Sequence, residues 1–335
     1  TVPFNGLARL REVISRYLYE FKGIHASPDC IIVGAGTEYL YSRLLQLFGN
    51  RTVVAIGDPG YKKFADISKS MGILWEYLPV DDEGILVNTL AESPAEVVHV
   101  SPANHFPLGI EMSSDRRRAL LDWVNKDPHR YIIEDDYDSE LRFGGRAQPS
   151  LFTQDFNQKV IYLNTFSKTL VPSLRISYMV LPKALMELYT RQLSFYSCTV
   201  SSFEQDALAR FIENGYFERH VNRLRRYYDK QRHSIVQALE KSSLMNIASI
   251  SNPLVGTHLI LSVDSQLSDE EISHKAQDLE MHLAMLSDYC INPTVRSFHY
   301  VVINFASIEP QQISVAVELL EKVFAHDIAS AKASN

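Results

Sequence analysis

The chain has 335 residues, of which 46% are hydrophobic and 22% are charged, so it is long enough for two domains or for one large domain with an appendage. Its net charge of −7 argues against nucleic-acid binding by this chain alone. The three cysteines are far apart, which indicates a reducing compartment such as the cytoplasm, and no apolar run approaches the ~18 residues that span a bilayer.

The first part of the chain alternates between helical and strand-like patterns. It begins with Thr1 rather than Met and shows no signal peptide, so we expect a piece of a longer or processed protein. Helical patterns occur in "LARLREVISRYLYEF", "TEYLYSRLLQLF", "KKFADISKSMG" and "SSDRRRALLDWVNK". Near-continuous apolar runs, typical of strands covered on both faces, are "CIIV" (30–33), "TVVAI" (52–56), "EVVHVS" (96–101), "RYIIED" (130–135), "KVIYLN" (159–164) and "ISYMVL" (176–181). This alternation predicts an α/β domain with a mostly parallel sheet.

The remainder of the chain predicts a smaller α+β domain. From about Phe203 to Ser243 the pattern is helical and basic, and the domain boundary falls somewhere in 200–235. We interpret the basic stretch at 219–232 as a solvated helix that joins the domains rather than as a DNA contact, and "DRRR" at 115–118 as a solvated helix face. The later elements are "HLILSV" (258–263), a helix near 268–286, "YVVINFA" (300–306) and a last helix near 310–325.

A first candidate for binding chemistry is "IIVGAGTEYLYSRLL", where a strand ends, two glycines follow and a helix begins. Backbone N–H groups at such a helix start bind phosphate, although an ordinary glycine turn explains the pattern equally well. A dinucleotide fingerprint would need a third glycine where Tyr39 lies, which disfavours nicotinamide binding.

A second candidate is "DPGYKKF", a tight turn after a strand. It places Tyr61 at the strand's carboxyl end, where ligands bind in open α/β sheets, and the ring could stack on a flat ligand. An ordinary turn with a packed tyrosine remains the alternative.

The third candidate is acidic. Glu134, Asp135, Asp136 and Asp138 surround Tyr137 at the end of an apolar strand. A metal site would need clearer ligand spacing, and no histidine lies within the cluster. A second interpretation pairs one aspartate with a cationic ring nitrogen while the tyrosine donates to a neighbouring oxygen. A solvated acidic loop fits poorly directly after a buried strand.

The fourth candidate is Lys168 in "IYLNTFSKTLVPSLRISY" (161–178), between two runs that predict buried strands. We expect this lysine to be sheltered, and a sheltered lysine can form a Schiff base. Hydroxyls at Thr165, Ser167 and Thr169, with the guanidinium of Arg175, could hold a phosphate.

Together the four stretches supply what a pyridoxal phosphate site requires, namely phosphate donors, a stacking ring, an acid, a phenol and a lysine. In these residues the chain resembles the fold-type-I aminotransferases. More narrowly, it is similar over essentially its whole length to the aminotransferase-like domain of the MocR/GabR family of bacterial transcription regulators. The motifs that carry the resemblance are "EDDYDSELRF" (134–143), "NTFSKTLVPSLRISYMVLP" (164–182), "DPGY" (58–61), "VDDEG" (80–84) and "SPANHFPLG" (101–109).

The resemblance implies roles for individual residues. Lys168 would form the internal aldimine, Asp135 would pair with the pyridine nitrogen, and Tyr137 would bond the ring oxygen. Tyr61 would stack on the ring. The implied phosphate ligands are Gly36, Thr37, Thr165, Ser167 and Arg175.

The sequence departs from the family pattern in three places. Ala35 stands where a serine hydroxyl is usual before the phosphate helix. Asn104 and His105 stand where His and Gln are common, so the contact on the ring's oxygen side is open between them. The third departure, "VPSLRISY" for "APGLRLGY", is mild.

By resemblance, the chain consists of an N-terminal helical segment at 1–25, a large cofactor-binding domain at 26–215 and a small domain at 216–335. A homodimer is implied, and DNA binding would require an N-terminal winged-helix domain that this chain does not contain. The implied function is amino acid sensing through an external aldimine. The alternative is a free-standing aminotransferase in which Lys168 also moves the Cα proton.

The effector would be an amino acid or another small primary amine, and α-amino acids of either hand and ω-amino acids all remain open. Its carboxylate needs a cationic partner. We expect Arg296 in "NPTVRSFHY" to fill this role ahead of Lys63, because a guanidinium matches a carboxylate with two hydrogen bonds. An exposed loop arginine is the alternative reading of Arg296.

Overall fold

The computed structural model describes residues 2–251, 253–291 and 298–334. Its α-helices, in chain order, are α1 (Ala8–Lys22), α2 (Thr37–Phe48), α3 (Lys63–Ser70), α4 (Val87–Glu92), α5 (Ser114–Asn125), α6 (Leu151–Gln154), α7 (Lys183–Leu193), α8 (Ser202–Glu213), α9 (Tyr216–Glu240), α10 (Asp269–Asp278), α11 (Ile313–Val323) and α12 (Ala325–Ser334). The β-strands are β1 (Ile31–Gly34), β2 (Val53–Asp58), β3 (Leu74–Asp81), β4 (Gly84–Ile85), β5 (Val97–Val100), β6 (Tyr131–Asp135), β7 (Val160–Thr165), β8 (Ser177–Val180), β9 (Ala248–Ile250), β10 (His258–Asp264), β11 (Ala284–Met285) and β12 (Phe298–Asn304).

The chain divides into two compact units. The large unit comprises Thr1–His105, Ile110–Glu140 and Arg146–Asn222. The small unit comprises Phe106–Gly109, Leu141–Gly145 and Arg223–Asn335, so the division falls within α9.

The large unit contains a mixed sheet that is mostly parallel. Among the described residues it has eight strands in the order β1-β8-β7-β6-β5-β2-β3-β4. Strands β7, β6, β5, β2 and β3 run parallel, and β1 shares their direction because β8 lies antiparallel to both β1 and β7. This confirms the predicted mostly parallel sheet of an α/β fold.

Both faces of this sheet are covered, which explains the continuous apolar runs. On β7, Ile161 and Leu163 pack with α2, α3 and α7, whereas Val160 and Tyr162 face the opposite side. That opposite side is covered by α1 and α8 over one part and by α4 and α5 over another. Alternate residues of each strand therefore enter different cores, as the period of two in a strand requires.

The small unit is an α+β layer. Within the described residues its antiparallel sheet has four strands in the order β11-β12-β10-β9, and its core includes Leu259, Leu261 and Val301 with the apolar faces of α10 and α11. Ser268 begins α10 with a reciprocal capping box to Glu271, which satisfies exposed helix donors.

The predicted elements mostly match, with one clear error. The predicted helix near 268–286 is too long, because α10 ends at Asp278 and the chain then forms β11 and a short 3₁₀ turn at Leu286–Tyr289. Among the described residues no helix is both long and apolar enough to cross a membrane.

Candidate active site

The candidate residues follow strands that end at one edge of the large sheet. Because β1, β2, β5, β6 and β7 run in the same direction, the segments after Gly34, Asp58, Val100, Asp135 and Thr165 emerge at the same edge. Ligands of open α/β sheets bind at this carboxyl edge. The topology therefore brings the four sequence candidates to one edge, which sequence spacing alone could not establish.

Lys168 lies in the turn between β7 and β8. The N–H groups of Thr169 and Leu170 donate to the carbonyl of Phe166, and a ring nitrogen of His220 lies 2.8 Å from the carbonyl oxygen of Thr169. The side chain of Lys168 is exposed in this chain, so the prediction of a sheltered lysine is wrong. The flanking strands are buried as predicted, but the turn carries the lysine beyond them.

The four acids at the end of β6 and just after it are buried, which excludes the solvated loop, and they differ in what they contact. Glu134 accepts hydrogen bonds from Ser150 Oγ (2.7 Å), Leu151 N (3.1 Å) and Phe152 N (2.8 Å), so it stabilises the start of α6. Burial raises the pKa of Glu134. Asp136 lies 2.7 Å from Lys22 Nζ of α1. In the described part of the chain no group of three His, Cys, Asp or Glu residues could hold a metal ion.

Asp135, Asp136 and Asp138 each have a buried Oδ1 without a hydrogen-bond partner among the described residues, but Lys22 and Asn104 hold the other oxygen of Asp136 and of Asp138, so Asp135 is the aspartate least committed to the protein. Its side chain is 8% exposed, and its Oδ1 has no hydrogen-bond partner among the described residues. Its Oδ2 lies 3.5 Å from Nε2 of His99, which β5 places beside it and which packs against Phe64 at 4.1 Å between ring centroids. His99 was not predicted from the sequence, because its position beside Asp135 depends on the pairing of β5 with β6.

Tyr137 is held by the loop after β5. Its hydroxyl donates to the carbonyl oxygen of Asn104 (3.0 Å), while Asn104 Nδ2 donates to Asp138 Oδ2 (2.8 Å). Burial raises the pKa of Tyr137, and the charges of Asp138 and Asp135 raise it further, so the phenol stays protonated at neutral pH. Burial also raises the pKa of Asp138, although the Asn104 hydrogen bond and the charge of Lys168 oppose this.

Asn104 and His105 face different partners. Asn104 is buried against Asp138, whereas Nε2 of His105 donates to the carbonyl of Pro59 at 2.9 Å. Burial lowers the pKa of His105, the Pro59 carbonyl opposes that shift, and the nearby His99 adds to it. His105 therefore connects the β5 loop to the turn that carries Tyr61.

The expected phosphate ligands are only partly assembled. Gly36 has a φ of 99°, and a Cβ at this position would lie 2.5 Å from Arg175 Nη2, so backbone and guanidinium form a close cradle at the start of α2. No side chain in the described part of the chain caps this helix, which leaves the N–H groups of its first turn, beginning at Thr37, for an anion. Arg175 is half-exposed rather than buried.

Two of the expected hydroxyls already have protein partners. Thr165 Oγ1 accepts from Ser177 Oγ (2.8 Å) and from Ser167 N (3.2 Å), and Ser167 Oγ donates to the carbonyl of Leu174 (3.1 Å). These bonds close the turn that carries Lys168.

Two candidates lie after β2, namely Tyr61 for stacking on a ring and Lys63 for binding the effector's carboxylate. Tyr61 is 40% exposed, so one face of the ring is accessible. Lys63 Nζ lies 2.7 Å from Glu38 Oε1 of α2, which sequence analysis did not single out. The preferred carboxylate partner, Arg296, lies outside the described residues.

Comparison with known proteins agrees with this geometry. The aminotransferase class I and II family model matches residues 1–320, and the chain belongs to this family. The uncharacterized HTH-type transcriptional regulator YdeL of Bacillus subtilis (strain 168) is 35% identical over 94% of this chain and 67% of its own length. The probable rhizopine catabolism regulatory protein MocR of Rhizobium meliloti is 30% identical over 95% of this chain and 64% of its own length. The chain thus spans about two thirds of the length of these regulators.

Solved structures show the same fold. A kynurenine aminotransferase of Pyrococcus horikoshii superposes with a TM-score of 0.85 at 24% identity, covering 97% of this chain and 82% of that one. An archaeal alanine:glyoxylate aminotransferase gives 0.87 at 22% identity, with the same coverage of both chains. These likenesses confirm the fold-type-I aminotransferase architecture.

Family membership implies pyridoxal 5'-phosphate as the cofactor, and the described residues fit it. The buried, unpartnered Oδ1 of Asp135 is an acceptor suited to a protonated pyridine nitrogen. The uncapped start of α2 and the guanidinium of Arg175, packed against Gly36, suit a phosphate.

Proposed function

We propose that the chain is the effector-sensing domain of a bacterial transcriptional regulator, which binds pyridoxal phosphate covalently through Lys168 and responds to an amino acid or another primary amine. The observation that carries this proposal is the similarity to HTH-type regulators, at 30% to 35% identity over 94% to 97% of this chain. On the same proposal the chain acts as a cytoplasmic homodimer, and DNA contact belongs to a winged-helix domain outside the chain.

The proposed roles follow from the contacts. Asp135 holds the pyridine nitrogen, because its Oδ1 is buried at the sheet edge and has no hydrogen-bond partner among the residues that the structure describes. Tyr137 turns its hydroxyl from the Asn104 carbonyl to the ring oxygen when the cofactor binds, and its raised pKa keeps the phenol protonated as a donor. Tyr61 covers a ring face, and either Asn104 or His105 borders the oxygen side. The phosphate ligands are Gly36, Thr37 and Arg175, with Thr165 and Ser167 shaping the turn beside them.

The choice of effector follows from the chemistry at Lys168. When bound, pyridoxal phosphate supplies an electrophilic carbon that exchanges one primary amine for another. Lys168 is exposed, so an incoming amine can reach it. Arg296 or Lys63 then holds the effector's carboxylate.

A free-standing aminotransferase is the second candidate. The aromatic-amino-acid aminotransferase 1 of Thermococcus litoralis is 27% identical over 70% of this chain, and the solved neighbours named above are aminotransferases. On this alternative Lys168 also moves the proton at the substrate's Cα.

One experiment separates the two functions. Amino acids are titrated against the absorbance of the cofactor-loaded chain, and keto acid is then measured with a second amino-group acceptor present. Sensing predicts a saturable spectral change with little keto acid, because the bound state must persist. Steady turnover at ~1 s⁻¹ or faster, as enzymes commonly show, would establish the aminotransferase instead.

The covalent link is tested separately. Borohydride reduction followed by peptide mass spectrometry should place the cofactor on Lys168, and Lys168→Ala should abolish that adduct. An adduct on another lysine, or on none, would refute the assignment.

A further inference from the structure

One carboxylate in the large unit contacts both described cations to which the proposed function assigns an anion. Glu38 Oε1 lies 2.7 Å from Lys63 Nζ, and Glu38 Oε2 lies 3.4 Å from Arg175 Nη2. Lys63 is a candidate partner for the effector's carboxylate, and Arg175 is assigned to the cofactor's phosphate. Glu38 therefore competes within the chain for both cations.

The positions on the helices show why this pair forms. Glu38 lies in the first turn of α2, where a negative charge is favourable, and Lys63 is the first residue of α3, where a positive charge is unfavourable. A nearby acid therefore stabilises the charge of Lys63, and Glu38 lies within hydrogen-bond distance of it. The hydrogen bond from Lys63 lowers the pKa of Glu38, so the carboxylate is ionised at neutral pH.

The charges of Glu38, Lys63 and Arg175 affect which ligands can bind beside them. Glu38 cancels the charge of Lys63, and a phosphate carrying about two negative charges exceeds the single charge of Arg175. An effector carboxylate that approaches Lys63 shares the ammonium with Glu38 and lies beside two other anions, Glu38 and the phosphate. An amine without a carboxylate meets no such opposition.

We propose that Glu38 is a specificity-determining residue of the amine site, which lowers the affinity for amines that carry a carboxylate relative to amines that lack one. This inference rests on the proposed function, since it assumes that amines bind at the cofactor. Where the far end of a bound primary amine lies near Tyr61, Glu38 favours amines in which that end is neutral or cationic.

The test compares wild type and Glu38→Gln with three probes, each titrated against the cofactor absorbance. Alanine and β-alanine both become ethylamine when the carboxylate is removed, so ethylamine measures the amine alone. Glu38→Gln should raise the affinity for alanine or β-alanine roughly three- to fivefold relative to ethylamine, which corresponds to about 0.6–1 kcal/mol, because solvent screens these exposed charges. Glu83→Gln is the matched control, because Glu83 is also half-exposed, pairs with Arg116 at 3.3 Å and changes the net charge equally.

A double variant assigns the effect to Lys63. In Glu38→Gln with Lys63→Met, the gain for the carboxylate probes should disappear, whereas a gain that persists would refute the route through Lys63. If all three amines still bind to Glu38→Gln and the affinity for the carboxylate probes relative to ethylamine is unchanged, the inference is overturned and the sensing function stays intact. If no amine changes the wild-type spectrum although cofactor is covalently bound, the proposed function fails, and the inference fails with it.

Discussion

Gly36 combines a backbone conformation that other residues rarely adopt with a close contact to Arg175. Its φ of 99° favours glycine, and a Cβ there would lie 2.5 Å from Arg175 Nη2. Gly36→Ala should therefore displace the guanidinium and weaken cofactor binding by roughly tenfold or more, since a hydrogen bond to a charged group contributes about 1.5–3 kcal/mol. Cofactor affinity measured by absorbance titration checks this.

The other end of the same helix offers the control. Gly49 has a φ of 82°, but a Cβ there would meet nothing within 4 Å. Gly49→Ala should cost folding stability of about 1–3 kcal/mol through the backbone alone, because ψ is 170°, and leave cofactor affinity unchanged. Equal cofactor losses in both variants would show that helix strain, rather than the contact with Arg175, is responsible.

Arg175 itself is only half-buried, so solvent reduces what its charge contributes. Arg175→Ala should still weaken cofactor binding by about tenfold, the lower limit expected for a charged hydrogen bond. Pyridoxal without its phosphate is the matched probe, because its binding should not change in the variant. Wild-type affinity for the phosphorylated cofactor would show that Arg175 only shapes the turn.

At the scale of elements, α1 is tied to the acidic loop after β6. Lys22 Nζ in the last turn of α1 lies 2.7 Å from Asp136 Oδ2, 2.8 Å from Glu140 Oε1 and 2.6 Å from Ser139 Oγ. Burial would lower the pKa of Lys22, but the two carboxylates raise it above its ordinary value. The same helix thus neutralises part of the loop that presents Asp135.

Lys22→Met should lower the free energy of unfolding by about 3–5 kcal/mol, because it leaves buried carboxylates without their cation. Burial would raise the pKa of Asp136, but Lys22 prevails and lowers it. The stabilisation is therefore present above the ordinary pKa of an aspartate, about 3.9, and is lost as the pH falls through the lower folded value. Denaturant unfolding at several pH values should show the difference between wild type and variant closing in acid.

Arg9 supplies the control on the same helix. It pairs with Asp206 and Glu213 at the surface, so Arg9→Met should have a small effect that salt screens. If both variants lose the same stability, the buried network contributes no more than a surface pair.

The sequence predicted the elements that are apolar throughout and missed those that are not. Strands such as β6 and β7 were predictable because both faces are buried. Strand β3, with the exposed Leu74 at its start, lacks such a run, and β11 has two residues that the helical periodicity around it conceals.

The residues of the candidate site also divide into those that the sequence predicted and those that it missed. Motifs were enough to propose Asp135, Tyr137 and Lys168 as site residues, but the exposure of Lys168 and the contacts of His99 and Glu38 depend on how distant segments pair. Sequence spacing contains no such information.

At the scale of the whole chain, 40 acidic residues outnumber 33 basic ones. DNA binding depends on neutralising phosphates with Lys and Arg, and a net charge of −7 opposes it. The basic residues of α9 do not reverse this balance, because the net charge of −7 already includes them. We therefore expect this chain to have no affinity for duplex DNA in the range of non-specific binders, about 10⁻⁴–10⁻⁶ M at physiological salt.

Fluorescence anisotropy with a labelled random duplex, at low and at physiological salt, measures this directly. We expect an anisotropy that does not change with protein concentration at either salt concentration, because the chain carries a net negative charge. Saturable binding that weakens steeply with salt would instead reveal a basic surface, and Arg219→Glu in the exposed start of α9 would then test whether that helix forms it. With this outcome this chain would contribute DNA contacts of its own, and the expectation drawn from its net charge would be wrong.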